Sequence, residues 1–187
     1  KIEKSNKKIM LLKMQNIVAV GKGLYEELSK DGFEKLYHLN NALDIKDKAP
    51  EKVPKTVNNI PIFMFVGGLT ATKGIVNLIK ASNNLVEAGY KHKLNVIGEG
   101  DLYNQVKGLS GRQVSLLGVQ SNENVLRLLN ASDYLVLPSK QESFGRVVIE
   151  AFSQGTPVIV TKSGGPEYLV SEKSGIIIKE NDEASIS

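Results

Sequence analysis

The sequence contains no cysteine and only two histidines among its 187 residues. Without thiols there is neither a disulfide framework nor a thiolate metal site, which fits a reducing compartment. His38 and His92 stand far apart with no ligand-like neighbours, so no structural or catalytic metal is expected. Long apolar runs are missing as well. A membrane-spanning helix needs roughly 18 consecutive apolar residues, whereas the longest runs here, such as Ile62 to Val66, are the size of strands. The first residues lack a signal-peptide pattern, and basic residues do not interleave with aromatic ones, so nucleic acid is not an expected partner. No internal repeat or low-complexity tract stands out.

What is present is the composition of a globular protein. An apolar share of 41% is enough for a sound core. The formal charge of +4 and a pI near 9.1 suit acidic small ligands or an anionic membrane surface, although lysine-rich solvated faces give the same balance. The chain starts at Lys1 rather than methionine and stops in a polar run at Ser187, so it reads as a piece of something longer.

From Ile60 onward, short β-branched runs alternate with helical patterns, as in repeated strand-helix units. The expected strands lie near 62–66, 94–98, 114–117, 134–137, 157–160 and 175–178, and the helices near 74–88, 101–108, 122–131, 145–154 and 166–171. The strands are continuously apolar, as for a sheet buried on both faces. The expected fold class is therefore α/β, a doubly wound, Rossmann-like parallel sheet. Upstream, 17–20 and 36–39 read as strands and 22–30 as a helix. The charged, proline-punctuated stretch 47–55 reads as a linker, with a boundary near residue 50. Lys1 to Lys13 mixes five lysines with Ile2, Ile9, Met10, Leu11 and Leu12, which suits either a surface helix or an interfacial amphipathic one.

Ligands of open parallel sheets bind at the carboxyl ends of the strands, so the loops there carry the chemistry. The first loop, Gly67-Gly68-Leu69-Thr70-Ala71-Thr72-Lys73-Gly74, opens onto a helix. Its glycines, a helix N-terminus and one ammonium group make either a phosphate site or a tight turn with a solvated lysine. It lacks the P-loop spacing. The second, Gly98-Glu99-Gly100-Asp101, starts like a dinucleotide fingerprint but has Tyr103 where the third glycine belongs, and Gly21-Lys22-Gly23 fails in the same way with Glu26. Both read first as strand-to-helix turns.

The third loop, Pro138 to Arg146, runs into an apolar helix with Glu150 in its middle. A carboxylate buried there needs partners, such as ligand hydroxyls or a basic side chain. Glu142 precedes the helix, and Gly145 bares the amides of its first turn. Two acids flanking an anion site suit a sugar joined to a diphosphate and a ribose. The same residues also fit an ordinary helix start, with Ser143 as N-cap and Glu150 in an ion pair. The fourth loop, Lys162 to Glu167, has paired glycines that allow close backbone approach to a ligand, or an ordinary turn.

Taken in order, Gly67 to Gly74, Gly98-Glu99-Gly100, Leu117-Gly118, Pro138-Ser139, Glu142 and Glu150 with seven residues between them, Gly155-Thr156-Pro157-Val158-Ile159 and Gly164-Gly165-Pro166-Glu167 closely resemble the C-terminal domain of glycosyltransferase family 4. Ile17-Val18-Ala19-Val20 with His38 to Asp44 resembles the end of that family's N-terminal domain. The resemblance implies the two-domain GT-B architecture, with residues 1–50 a remnant of the acceptor half and linker and 51–187 the donor-binding domain. It implies sugar transfer from a nucleoside diphosphate sugar, UDP more than GDP, with retained anomeric configuration and no metal or other cofactor. The acceptor would be a glycan or glycolipid of the cell surface, bound mainly by the missing half, so this piece alone would bind donor only. The expected location is the cytoplasm, with contact at the inner face of the membrane. Lys73 and Glu142 would be the catalytic side chains, Lys73 on the diphosphate and Glu142 on sugar hydroxyls. Gly67, Gly68, Gly98, Gly100, Val119, Ser143, Phe144, Gly145, Arg146 and Glu150 would bind donor, Glu150 through the ribose. One departure is that the family usually has arginine where Gly68 stands, and Arg146 is a candidate to supply that charge. An epimerase of the same layout and a non-catalytic Rossmann-like module are the alternatives.

Overall fold

The computed structural model describes residues 16–42, 60–179 and 183–186. The expected linker, the boundary near residue 50 and the Lys1–Lys13 segment lie outside them. The described chain forms a parallel two-stranded piece, β1 (Ile17–Ala19) and β2 (Leu36–His38), bridged by α1 (Lys22–Lys30). A parallel six-stranded sheet follows: β3 (Ile62–Val66), β4 (Lys93–Ile97), β5 (Val114–Gly118), β6 (Tyr134–Leu137), β7 (Val158–Thr161) and β8 (Gly175–Ile178). Their spatial order is β5-β4-β3-β6-β7-β8, so the direction of winding reverses between β3 and β6.

The connecting helices are α2 (Ile75–Glu87), α3 (Tyr103–Leu109), α4 (Asn122–Asn130) and α5 (Arg146–Ser153), and α6 (Glu183–Ile186) packs on α2. The apolar strands are explained by what lies on each side. Met64, Leu135 and Leu137 face a cluster with Val125 and Leu129 of α4 and Val148 and Ala151 of α5. Phe65 and Val136 face the opposite cluster, with Ile75, Leu78 and Ile79 of α2 and Val106 of α3. Adjacent residues of one strand thus enter two cores, which alternating polarity would forbid. Each fully buried Met or Phe contributes about 1.5–3 kcal/mol.

Two expectations need correction. The helix expected over 166–171 is a single 3-10 turn, Pro166–Tyr168, because Glu167 folds back onto the amides of Ser163, Gly164 and Gly165. Burial on both faces fails at β8, an edge strand on which Ile176 is 55% exposed. The short α6 had no counterpart in the sequence reading.

Candidate active site

The ladder between β3 and β6 pairs only Phe63 with Tyr134 and Met64 with Leu135. Beyond those pairs the sheet opens, and the last residues of the two strands, Val66 and Leu137, line a cleft of about 330 Å³. This is the point where the strand order reverses and where an open α/β sheet holds its ligand. The loops after β3 and β6 form its rim, tied together by the Lys140 amide donating to the Thr72 carbonyl at 2.8 Å.

Lys73 ends a 3-10 turn, Ala71–Lys73, and Gly74 follows in the left-handed region at φ 70°, which lets the chain turn at once into α2. The Lys73 ammonium donates to Glu142 Oε2 across the cleft, and both side chains are half-buried. Gly145, also left-handed at φ 84°, is the N-cap of α5, and no side chain caps that helix. The Val148 amide donates to the Gly145 carbonyl at 2.9 Å, and the amides of Arg146 and Val147, two residues that line the cleft with Lys73, have no side-chain acceptor. A Cβ on Gly145 would stand 2.9 Å from Pro166, so glycine is required there twice over. Ser143, Phe144, Arg146 and Val147 complete this wall.

Glu150 is buried at 9% exposure, one turn behind Arg146, and its Oε1 lies 3.9 Å from the Arg146 guanidinium. That is an ion pair without a hydrogen bond, and no donor to this carboxylate is seen among the described residues. Burial pushes its carboxyl above the ordinary value and Arg146 pulls it partly back. Arg146 itself is 67% exposed, free to reach other anions. The Glu150 carboxylate thus keeps spare acceptor capacity beside an exposed cation, although it is not among the residues that line the cleft.

The expected residues thus divide. Lys73, Glu142, Ser143, Phe144, Gly145 and Arg146 line one cleft, with Glu150 behind Arg146. Gly67 sits under Lys73, whose Cδ would be 4.0 Å from a Cβ there, and a Cβ on Gly68 would make only ordinary contacts, 3.7 Å from Thr70 and 3.9 Å from the Glu99 carbonyl oxygen. Gly98 and Gly100 are wedged against the first loop: a Cβ would stand 2.0 Å from the Gly67 carbonyl oxygen or 2.7 Å from that of Leu69. Val119 is exposed at the end of β5, apart from the cleft-lining residues. In the fourth loop the amides of Ser163, Gly164 and Gly165 already serve the Glu167 carboxylate, and the Ser163 carbonyl accepts from the Glu142 amide, so this loop braces the third. Sequence reasoning missed Val20 and Asn41, which also line the cleft. The signal was available in principle, since both follow the carboxyl ends of short parallel strands.

Residues 45–187 match the sequence model of the family described as Glycosyl transferases group 1. The capsular polysaccharide biosynthesis glycosyltransferase CapM of Staphylococcus aureus is 31% identical over 165 residues, which is 83% of this chain and 40% of CapM. Among solved structures, sucrose-phosphate synthase from Thermosynechococcus elongatus superposes with a TM-score of 0.82 at 22% identity, over 96% of this chain and 49% of that one. Anabaena HepE in complex with UDP-glucose gives 0.73 at 21% identity, over 90% and 50%. The chain spans between 34% and 41% of the length of the curated relatives it matches first.

Proposed function

Since the chain belongs to the Glycosyl transferases group 1 family, we propose that it is the donor-binding half of a retaining glycosyltransferase of the family 4 type. The substrate is a nucleoside diphosphate sugar, UDP-linked rather than GDP-linked, and the acceptor a glycan or glycolipid in cell-surface polysaccharide synthesis. The observation that carries this reading is the meeting of Lys73, Glu142 and the uncapped start of α5 in one cleft at the reversal of strand order. The family's role in sugar transfer and the polysaccharide function of CapM support the class of acceptor.

In the structure Lys73 is held by Glu142. An arriving diphosphate, with more charge and more acceptor oxygens than one carboxylate, takes over the ammonium and the bared amides. Glu142 is then released to accept from sugar hydroxyls, while Glu150 accepts from the ribose. Arg146 turns from Glu150 to the second phosphate and stands in for the charge absent at Gly68. Bond cleavage is helped by fixed positive potential where the leaving diphosphate gains charge. The reading calls for no metal ion, so a chelator leaves the activity unchanged. The place of action is cytoplasmic, at the inner face of the membrane where glycolipid acceptors are held; no described helix is long and apolar enough to cross a membrane.

The test is calorimetric titration of the chain with UDP, GDP and their sugar conjugates, followed by assay of the protein that carries its acceptor half. Binding of UDP-sugar and appearance of a glycosylated acceptor are expected. Epimerised nucleotide sugar without transfer would replace this reading with the epimerase, and no nucleotide binding at all would leave only a scaffold.

A further inference from the structure

Gly21 and Gly23 remain unexplained by the cleft chemistry. The backbone at Gly21 is extended, with φ −117° and ψ 139°, so any residue could adopt its conformation. Space is what forbids a side chain. A Cβ on Gly21 would stand 1.6 Å from the Ser143 carbonyl oxygen, and one on Gly23 would stand 2.2 Å from that of Gly164. The turn into α1 is therefore pressed, backbone to backbone, onto the third and fourth loops. Two side-chain contacts reinforce the join: Tyr168 Oη donates to Glu26 Oε2 at 3.1 Å, and Lys22 Nζ lies 5.4 Å from the centre of the Tyr168 ring.

The consequence is the placement of Asn41. It comes from the segment after β2, yet it lines the same cleft as Lys73 and Glu142, and among the described lining residues it is the sole carboxamide. A carboxamide both donates and accepts, as neighbouring hydroxyls of a pyranose require, whereas a phosphate oxygen can use only its donor half. We propose that Asn41 is a further donor-binding residue that grips the sugar, and that Gly21 and Gly23 are positioning residues that hold its segment against the donor loops. This rests on the donor-site reading above. In it, the segment preceding the linker is part of the donor site and distinguishes a nucleotide sugar from a bare nucleotide.

The experiment compares the affinities of the chain for UDP-glucose and GDP-mannose with those for UDP and GDP, by calorimetry. Asn41→Ala should weaken the better-bound nucleotide sugar about tenfold, the worth of one or two hydrogen bonds, and leave the matching bare nucleotide within about twofold. Gly21→Ala should show the same split, because the added methyl displaces the segment and carries Asn41 away. Gly108→Ala, where a Cβ meets nothing within 4 Å, should leave all affinities unchanged. If Lys73→Ala abolishes binding but Asn41→Ala weakens sugar and bare nucleotide equally, or neither, the assignment of Asn41 fails while the donor site stands. If Asn41→Ala shows the split and Gly21→Ala does not, the positioning role of the glycines fails. If the unaltered chain binds none of the four probes, the donor-site reading fails and takes this inference with it.

Discussion

The loops after β3 and after β4 are both glycine-bearing turns from a parallel strand into a helix, yet the molecule uses them in opposite ways. After β3, Gly68 has room for a side chain and the loop delivers Lys73 to the cleft. After β4, Gly98 and Gly100 have no room at all, because they press on the backbone of the first loop, whose Leu69 amide donates to the Glu99 carbonyl at 2.9 Å. The loops after β6 and β7 repeat the contrast. The first presents Glu142 and an uncapped helix start to the cleft, while the second folds around Glu167 and supports its neighbour. Glycine therefore marks close approach of backbone to something, and the strand order decides whether that something is a ligand or another loop.

The largest effect expected from this contrast is on stability. Gly98 has φ 132° and a Cβ there would be 2.0 Å from the Gly67 carbonyl oxygen, so Gly98→Ala meets both backbone strain and a clash with main chain. Together these should cost about 3 kcal/mol or more of unfolding free energy, measured by urea denaturation. A loss confined to nucleotide affinity, with stability intact, would place Gly98 among the ligand contacts and break the contrast.

Lys73→Ala should show the converse. Its charge-assisted contacts to a diphosphate correspond to about a hundredfold in affinity, read by calorimetry, with little change in stability because its partner Glu142 is half-buried and can reach water. Wild-type affinity in this variant would remove the first loop from the donor site. Smaller again is Glu167→Gln. The amide side chain keeps one acceptor oxygen for the amides of residues 163–165 but loses the charge, and about 1–2 kcal/mol of stability should go with it. Nucleotide affinity should fall by less than in the Lys73 variant, since this loop reaches the cleft only by supporting the backbone of residues 142–145, with the Glu142 amide donating to the Ser163 carbonyl at 3.0 Å.

Much of this was legible in the sequence. The six sheet strands came out within about a residue of their observed ends, because continuous apolar runs such as Tyr134–Leu137 have no alternative to burial on both faces. Lys73, Glu142 and Arg146 were legible as loop residues at strand ends, and the strand order then brought them together. The joint at Gly21 was not, since it depends on where two distant turns meet, and Gly21 has an unremarkable φ. The short turn at Pro166–Tyr168 was misread as a helix for a related reason: helical periodicity says nothing of a carboxylate that finds amides two to four residues before it.

The smallest effect on stability should come from Glu150→Gln, and its sign is the informative part. Burial holds the Glu150 carboxyl above its ordinary value, with Arg146 only partly offsetting this. Below the ordinary carboxyl range the group is protonated in both folded and unfolded chains, and stability is undiminished. As pH rises from that range through the raised folded value, the unfolded chain releases its proton first, so stability falls and stays lower at neutral pH. Glutamine has no such transition. The variant should therefore be slightly more stable than the native chain at neutral pH, by chemical denaturation across pH, while binding nucleotide more weakly. Arg146→Ala, which removes the opposing charge, should steepen the native fall. A Glu150→Gln chain that is less stable at neutral pH would mean that the carboxylate serves the fold through Arg146, and an acid already committed to the fold has nothing left to offer a ribose.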